Sequence, residues 1–272
     1  MNETDGELAA IQSLAFELAQ LAGAQIVGSL GRTLAIRYKK LTEDEEAVFR
    51  DPVSEVDHAV EAVLRARLAD RFPDHGIIGE EVEETQGSSD YTWVIDPVDG
   101  TANFVNGFPL FAASIGVVRA GVPVVGAVWC STSHALRQGV YHSREGGPLY
   151  FDEEKIVAVD RQNVHRRLVG MPQTGLAPGA ALEGRRTGSS AIECSFVAAG
   201  LLTGSLQIMP NVWDVAGGIP LLRAIGADVV TRTEGGDWAP FETFATGTGA
   251  DSIAQWKQDL LLGQPGTVAA MR

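Results

Sequence analysis

Cysteine is scarce in this chain: Cys130 and Cys194 are the only two among 272 residues. They have no CxxC spacing, which argues against a disulfide framework and against a zinc site. Both stand in apolar stretches of sequence, and Cys is among the residue types most often buried. We therefore expect two unreactive thiols inside the protein.

Basic charge and long apolar runs are also in short supply. The sequence has 21 Lys and Arg against 35 Asp and Glu, a formal net charge of -14 at pH 7, so we expect no nucleic-acid partner. No stretch reaches the roughly 20 apolar residues that span a bilayer, and the first five residues are acidic where a signal peptide is basic. We expect a cytoplasmic protein that makes no membrane contact.

Several familiar catalytic patterns are missing. The five histidines show neither HExxH nor HxxxH spacing, and no GxSxG elbow presents a serine nucleophile. Gly247-Thr248-Gly249 lacks the third glycine of a dinucleotide-binding fingerprint. These absences argue against a zinc protease, a serine hydrolase and a nicotinamide-dependent enzyme.

The composition is that of an ordinary globular protein, with 45% hydrophobic and 21% charged residues. We expect one domain over residues 1–272, with two candidate lobes at 1–183 and 184–272. Apolar periodicity predicts helices at 6–29 and from Ser54 to Pro73, then strands at 76–79, 92–95, 113–118 and 122–129. The second half predicts a strand at 167–171, a loop at 172–184, a helix at 191–201, a strand at 206–209, a helix at 211–225 and a last helix from about Asp251.

The segment from Trp93 to Phe104 is the most informative. An apolar strand ends at Asp96, Pro97 turns the chain, and Asp99 precedes Gly100-Thr101 at the start of a short helix. Carboxylate oxygens and the Val98 carbonyl are ligands for hard cations, while the N–H groups of a first helical turn hold phosphate. The alternative is that Asp96 and Asp99 only cap turns.

Other acidic residues follow the same arrangement. Glu80 and Glu81 come directly after a predicted strand, Asp214 stands in the first turn of a predicted helix, and Asp57 lies three residues after Ser54. Taken singly, they also fit exposed loop charges, helix-end electrostatics and a capping box.

Together these motifs resemble the inositol monophosphatase family in order and spacing. The matching segments are DPVSEVD at 51–57, GEE at 79–81, WVIDPVDGTANF at 93–104 and WDVA at 213–216. The resemblance implies an α/β fold, a five-layer αβαβα sandwich. It also implies a homodimer and lithium-sensitive, Mg²⁺-dependent hydrolysis of small phosphate monoesters.

The resemblance also implies residue roles, with two or three Mg²⁺ ions in each active site. The implied metal ligands are Glu80, Asp96, the Val98 carbonyl, Asp99 and Asp214. The implied catalytic residues, which orient the attacking water, are Glu80, Thr101 and Asp57. The implied substrate contacts are Asp99, Gly100, Thr101, Ala102, Gly188, Ser189, Ser190, Gln207 and Asp214.

The match has two departures. A lysine that the family usually carries corresponds here to Glu46, with Arg50 and Lys39-Lys40 as the nearest basic residues. A glutamate that contacts the ring in inositol-specific members corresponds to Gln207, which cannot accept two hydroxyls as a carboxylate does. The sequence therefore does not choose among four substrates: an inositol-1-phosphate-like ester, histidinol phosphate, a 3'-phosphonucleotide and a sugar bisphosphate.

The alternative from another functional class is a regulatory protein that binds RNA polymerase or RNA without catalysis.

Overall fold

A computed structural model of the chain describes residues 3–31, 36–38, 52–157, 164–165, 167–172, 182–233, 235–245, 253–264 and 266–271. Glu46, Arg50 and Lys39-Lys40 lie outside these residues. No helix in the described ranges is both long enough and apolar enough to cross a membrane.

The described residues form helices and strands in mixed order. The helices are α1 (Glu3–Ser29), α2 (Glu55–Arg71), α3 (Thr101–Val105), α4 (Ser190–Ala198), α5 (Val212–Ala216) and α6 (Gly218–Ala224), with 3-10 turns at Ile253–Gln255 and Val268–Ala270. The first nine strands are β1 (Ile36–Tyr38), β2 (Pro52–Ser54), β3 (Gly76–Gly79), β4 (Tyr91–Asp99), β5 (Ala112–Arg119), β6 (Val122–Cys130), β7 (Gly139–Arg144), β8 (Tyr150–Phe151) and β9 (Glu154–Lys155). The rest are β10 (Arg167–Gly170), β11 (Leu182–Arg185), β12 (Gly204–Gln207), β13 (Asp228–Arg232), β14 (Trp238–Pro240) and β15 (Leu260–Gly263).

The larger sheet has seven strands in the order β3-β4-β5-β6-β7-β8-β9. Only β3 and β4 pair in parallel, and each later pair is antiparallel. Successive side chains of β4 enter different cores: Trp93 and Ile95 pack with α1 and α2, while Val94 packs with α4 to α6. The sheet is therefore buried on both faces, which explains why its strands are continuous apolar runs.

The smaller sheet has six strands in the order β11-β10-β12-β15-β13-β14. Helices α4, α5 and α6 lie between the two sheets and share one apolar core with both. On the outer face of the six-stranded sheet, Val268 packs with Val230 and Leu261. The molecule is thus layered helix, sheet, helix, sheet, with a short 3-10 turn outermost, and the predicted α/β class is confirmed.

Several local predictions are confirmed. Helix α1 covers the predicted 6–29, and the four strands of the first half lie where apolar runs predict them. Ser54 and Asp57 form the predicted capping box at the start of α2. Cys130 and Cys194 are buried and free, and burial raises the pKa of the Cys130 thiol to about 12.

One predicted helix is interrupted, and the predicted last helix is wrong. The helix predicted for 211–225 divides at Gly217 into α5 and α6, because Pro220 has no N–H to bond the carbonyl four residues earlier. Asp251 lies outside the described residues, and the segment after it forms a 3-10 turn and then strand β15. The apolar residues of β15 form a strand there because β15 pairs antiparallel with β12 on one side and with β13 on the other.

The remaining differences concern strands, most of them in the second half. The strand predicted for 206–209 runs from Gly204 to Gln207, and Met209 beyond it has a left-handed backbone, φ 47°. Strand β11 lies in the predicted loop 172–184, of which 173–181 are outside the described residues. Strands β1, β2, β7, β8, β9, β13, β14 and β15 were not predicted. They are two to six residues long, which is too short for a period-two pattern to stand out in the sequence.

Candidate active site

A β-bulge at the end of β4 presents the first acidic residues. Asp96 pairs with Ser114 and Asp99 with Ala112, so three steps along β4 match two along β5. Such a bulge re-aims side chains at the rim of a sheet. The Asp96 carboxylate also accepts the N–H of Val98 at 3.0 Å, which holds the bulge in place.

Gly100 turns the chain from this bulge into α3. Its φ is 85°, and a Cβ there would lie 3.1 Å from the Leu110 carbonyl and 3.2 Å from the Gly188 carbonyl. Only glycine meets both demands without strain. The amide of Asn103 donates to the carbonyls of Leu110 and Thr187 at 2.6 and 2.8 Å, so α3 is tied to the turn at 187–190.

Three carboxylates from different elements converge at this point. One oxygen each of Asp96 and Asp99 from β4 and of Asp214 from α5 lie within 4.8 Å of one another. They line a cleft of about 220 Å³ together with Glu80, Val98, Gly100, Thr101, Ala102, Gly188 and Asn211. The bulge of β4, the end of β3 and the start of α5 therefore bring every predicted metal ligand to one cleft.

The protein environment destabilises the ionised form of these carboxylates relative to the protonated form. Burial, and then the charges of Glu80, Asp99 and Asp214, raise the pKa of Asp96 well above its usual value. Burial and the Asp99 charge raise the pKa of Asp214 to about 8. Burial also raises the pKa of Asp99 to about 6, although hydrogen bonds from Ser189 and from the N–H of Ala191 oppose it. A bound divalent cation would relieve this repulsion, and the all-oxygen donor set suits Mg²⁺.

Glu80 and Glu81 are held by a buried ion pair on α2. The N–H of Glu81 donates to Glu61 Oε2 at 2.9 Å, and Arg65 bonds Glu61 Oε1 at 2.7 Å. The N–H of Glu80 donates to the Ile95 carbonyl at 3.2 Å, which places Glu80 next to β4. Sequence reasoning missed Glu61, although its spacing of four residues from both Asp57 and Arg65 is a signal of one helix face.

Asp57 and Thr101 form a second polar group at the cleft. Thr101 Oγ1 lies 3.1 Å from Asp57 Oδ1 and 2.8 Å from the Val98 carbonyl oxygen. The other oxygen of Asp57 accepts from the N–H and the hydroxyl of Ser54 at 3.0 and 2.5 Å. Burial is the main cause that raises the pKa of Asp57. The carboxylate that caps α2 therefore also accepts from Thr101 of the cleft, although Asp57 itself does not line the cleft.

The predicted contacts in the second half line an adjoining cavity of about 320 Å³. It shares Asp99, Gly188 and Asp214 with the cleft and also includes Ser189, Ser190 and Gln207. The Gln207 amide donates to the Ser190 carbonyl at 3.1 Å, and its Oε1 is buried and accepts no hydrogen bond from the described residues.

Sequence reasoning also missed Glu193 in this cavity. Its carboxylate accepts from the hydroxyls of Thr187, at 2.6 Å, and of Ser205, and burial raises its pKa. Neither its helical position nor its spacing separates it from a surface glutamate, so the sequence carries no signal for it.

The comparisons with known proteins place the chain in a family. The model of the inositol monophosphatase family matches residues 7–262. The chain belongs to the inositol monophosphatase family.

Individual proteins with similar sequences support the family assignment. An inositol-1-monophosphatase of Mycobacterium bovis is 33% identical over 260 residues, 86% of this chain and 88% of the relative. A fructose-1,6-bisphosphatase/inositol-1-monophosphatase of Aquifex aeolicus is 30% identical and covers 77% of this chain and 81% of its own length. A protein called Nus factor SuhB of Xylella fastidiosa is 32% identical, over 66% of this chain and 68% of its own.

Solved structures share the fold. The suhB protein of Bartonella henselae superposes with a TM-score of 0.75 at 23% identity and covers 96% of each chain. The inositol monophosphatase of Anabaena superposes with a TM-score of 0.72 at 24% identity, over 97% of this chain and 94% of its own. As a member of this family, the chain is an enzyme, a phosphoric monoester hydrolase that acts on small phosphorylated substrates.

Proposed function

We propose that this enzyme hydrolyses a small phosphate monoester, inositol-1-phosphate-like, with two or three Mg²⁺ ions. The ions would be held by Glu80, Asp96, the Val98 carbonyl, Asp99 and Asp214. The observation that carries the proposal is the convergence, within 4.8 Å in one cleft, of three carboxylates, of which Asp96 and Asp99 are buried and Asp214 is half-buried. When bound, Mg²⁺ would neutralise the phosphate oxygens and lower the pKa of a water molecule.

The start of α3 would receive the phosphate. Gly100, Thr101 and Ala102 line the same cleft as the carboxylates, and the first N–H groups of a helix have no partner within it. Backbone N–H groups bind phosphate without repelling it, which four clustered carboxylates alone would do.

Thr101, Glu80 and Asp57 would orient the attacking water. With Asp57 ionised, the Thr101 hydroxyl donates its single proton to Oδ1 at 3.1 Å, so its oxygen is left to accept a proton of the water. Glu80 would accept the second proton of the same water. The water oxygen would then face phosphorus. As its bond to phosphorus forms, the bond from phosphorus to the alcohol oxygen breaks. The water proton taken up by Glu80 would pass through solvent to the leaving alcohol oxygen, and the other water proton would stay on the phosphate product.

The proposal leaves room for other substrates of the same chemistry. Histidinol phosphate, a 3'-phosphonucleotide and a sugar bisphosphate would use the same acidic residues and differ only in the adjoining cavity. The Aquifex aeolicus relative is named for activity on both a fructose bisphosphate and inositol 1-phosphate. The further proposals that rest on the family are a single phosphatase domain, a homodimer, lithium sensitivity, a cytoplasmic location and the absence of a nucleic-acid partner.

A regulatory role is the second candidate. Relatives at 28 to 32% identity carry the name Nus factor SuhB or putative Nus factor SuhB, so binding to a transcription complex is a proposal for this chain too. The net charge of -14 opposes RNA binding. Retained partner binding by a variant without phosphatase activity would favour this second role.

The test is phosphate release from inositol, sugar, histidinol and 3'-nucleotide phosphates, with Mg²⁺, with EDTA and with added Li⁺. We expect release only with Mg²⁺ and inhibition by Li⁺. Asp99→Asn should lower kcat by about a hundredfold or more, because it removes charge where the phosphate is neutralised.

Asp70→Asn is the matched control, since it makes the same change at an exposed position near the end of α2. Its activity should equal that of the wild type. Full activity of Asp99→Asn, or equal activity in EDTA, would contradict the proposed metal site.

A further inference from the structure

The cavity beside the cleft is where the alcohol part of a bound phosphate ester must lie. The cavity and the cleft share Asp99, Gly188 and Asp214, so the two spaces are continuous. Phosphate would occupy the acidic cleft, and the rest of the ester extends into the neighbouring 320 Å³. The walls of this cavity therefore decide which alcohol is accepted.

The polar side chains on the inner wall are bonded within the protein, except for Gln207 Oε1, which has no partner among the described residues but is shielded from solvent. Gln207 is 5% exposed, donates to the Ser190 carbonyl, and keeps its Oε1 out of contact with solvent. Glu193 accepts from Thr187 and Ser205. The Ser189 hydroxyl is bonded to Asp99. This wall has little left to offer the hydroxyls of a polyol, and each hydroxyl that lost water there without a partner would weaken binding.

The outer wall is apolar. Ile208 and Met209, which we call the apolar rim, are 51% and 50% exposed and line the cavity with Met171 and Pro172. Arg186 lines the same space, and a guanidinium can stack on an aromatic face.

The backbone of Met209 is strained. Its φ of 47° lies in the left-handed region, which glycine adopts freely and L side chains rarely do. Its N–H donates to Asp259 Oδ1 at 3.1 Å, which holds the turn. A large apolar side chain that is strained and half in solvent contributes little to folding. A ligand contact accounts for both features, since strained positions occur where a site needs them.

We propose that the apolar rim binds an aromatic ring of the leaving alcohol, so that this enzyme prefers phosphate esters of ring-bearing alcohols over polyol phosphates. The inference rests on the proposed phosphatase function and specifies its substrate class. The thioether of Met209 suits the edge or face of such a ring. Ile208 would cover the ring from water.

The test compares tryptophol phosphate with myo-inositol 1-phosphate under Mg²⁺. We expect kcat/KM for tryptophol phosphate to be about tenfold higher or more, because a ring buried on apolar side chains gains at least that much. Met209→Gly should lower the ratio of the two kcat/KM values about fivefold, through KM, with an unchanged or raised Tm because glycine relieves the strained backbone. Ile208→Ser should lower the same ratio.

Two variants are matched controls. Ala120→Gly relieves another left-handed backbone, φ 48°, at the end of β5 opposite to the site. Val157→Ser removes another exposed apolar side chain, 78% exposed. Neither should change the ratio.

The outcomes separate the two proposals. Hydrolysis with a preference for inositol 1-phosphate, or a ratio unchanged in Met209→Gly and Ile208→Ser, would overturn the aromatic assignment and leave the phosphatase reaction intact. Hydrolysis of neither ester would overturn the proposed phosphatase function and the aromatic assignment with it.

Discussion

The proposed role of Thr101 in orienting the attacking water depends on its hydroxyl group. Its hydroxyl stands between a carboxylate oxygen of Asp57 and the carbonyl of Val98, and a hydroxyl has a single proton to donate. The choice of acceptor fixes the direction in which the remaining lone pairs point, and hence where a water can donate.

Removal of that hydroxyl should separate binding from chemistry. We expect Thr101→Ala to lower kcat about a hundredfold or more, as losses of proton-transfer groups do, while KM changes little because the backbone N–H groups remain. Thr101→Ser keeps the hydroxyl and should retain most of the activity. Steady-state kinetics on both variants provide the check, and equal losses in the two would contradict a role for the hydroxyl.

At this scale the sequence predicted the acidic residues well. Asp96 and Asp99 were named from the strand end and turn that carry them, and Asp214 from the resemblance to the family; the three carboxylates do converge. Glu61 and Glu193 were missed because a buried carboxylate paired with Arg65, or with two hydroxyls, looks the same in sequence as a surface one.

Among the elements, strand β3 and helix α2 meet closely at a glycine. A Cβ on Gly79 would overlap the carboxylate of Glu61, which is fully buried and bonds the backbone of Glu81. The strand therefore ends in a glycine because a charged side chain from the helix occupies the space that a Cβ would need. This packing also positions Glu80, the next residue, in the cleft.

Gly79→Ala should disturb both stability and the site. We expect a loss of about 2 kcal/mol or more in the free energy of unfolding, from overpacking and a displaced buried charge. Gly28→Ala makes the same change on an exposed face of α1, where no atom lies within 4 Å, and should stabilise by about 0.5 to 1 kcal/mol. Urea unfolding measures both. A Gly79→Ala variant as stable as the wild type would show that Glu61 can move freely.

For the whole molecule, four acidic residues share one cleft, so stability is tied to pH and to divalent cations. The pKa values of Asp99 and Asp214 are raised to about 6 and about 8 from 3.8. The metal-free folded state thus binds protons that the unfolded chain has released between about pH 4 and pH 8. These groups make the metal-free protein less stable as the pH rises through that range.

Mg²⁺ should therefore stabilise the protein more at high pH. We expect saturating Mg²⁺ to raise Tm by about 5 °C near pH 8 and by less than half of that near pH 5, where protons compete for the carboxylates. Thermal unfolding with and without Mg²⁺ at both pH values is the measurement.

The control for this prediction is a variant in which one of the proposed metal-binding carboxylates is replaced by a neutral amide. Asp214→Asn without metal should have a higher Tm than the wild type near pH 8, because repulsion within the cleft is removed. Asp70→Asn at the surface should not. A Mg²⁺ effect independent of pH would contradict a site formed by these acids.

The sequence by itself determined the fold class, most elements of the first half and the residues of the acidic cleft. Strong apolar periodicity, the Ser54 capping box and the run from Asp96 to Thr101 depend on neighbours in the chain, and such local physics can be read without coordinates. Tertiary structure alone decided the strand β15, the burial of Glu61 and Glu193 and the left-handed Met209. Each of these depends on atoms distant in sequence or on a turn held from outside, as Asp259 holds Met209.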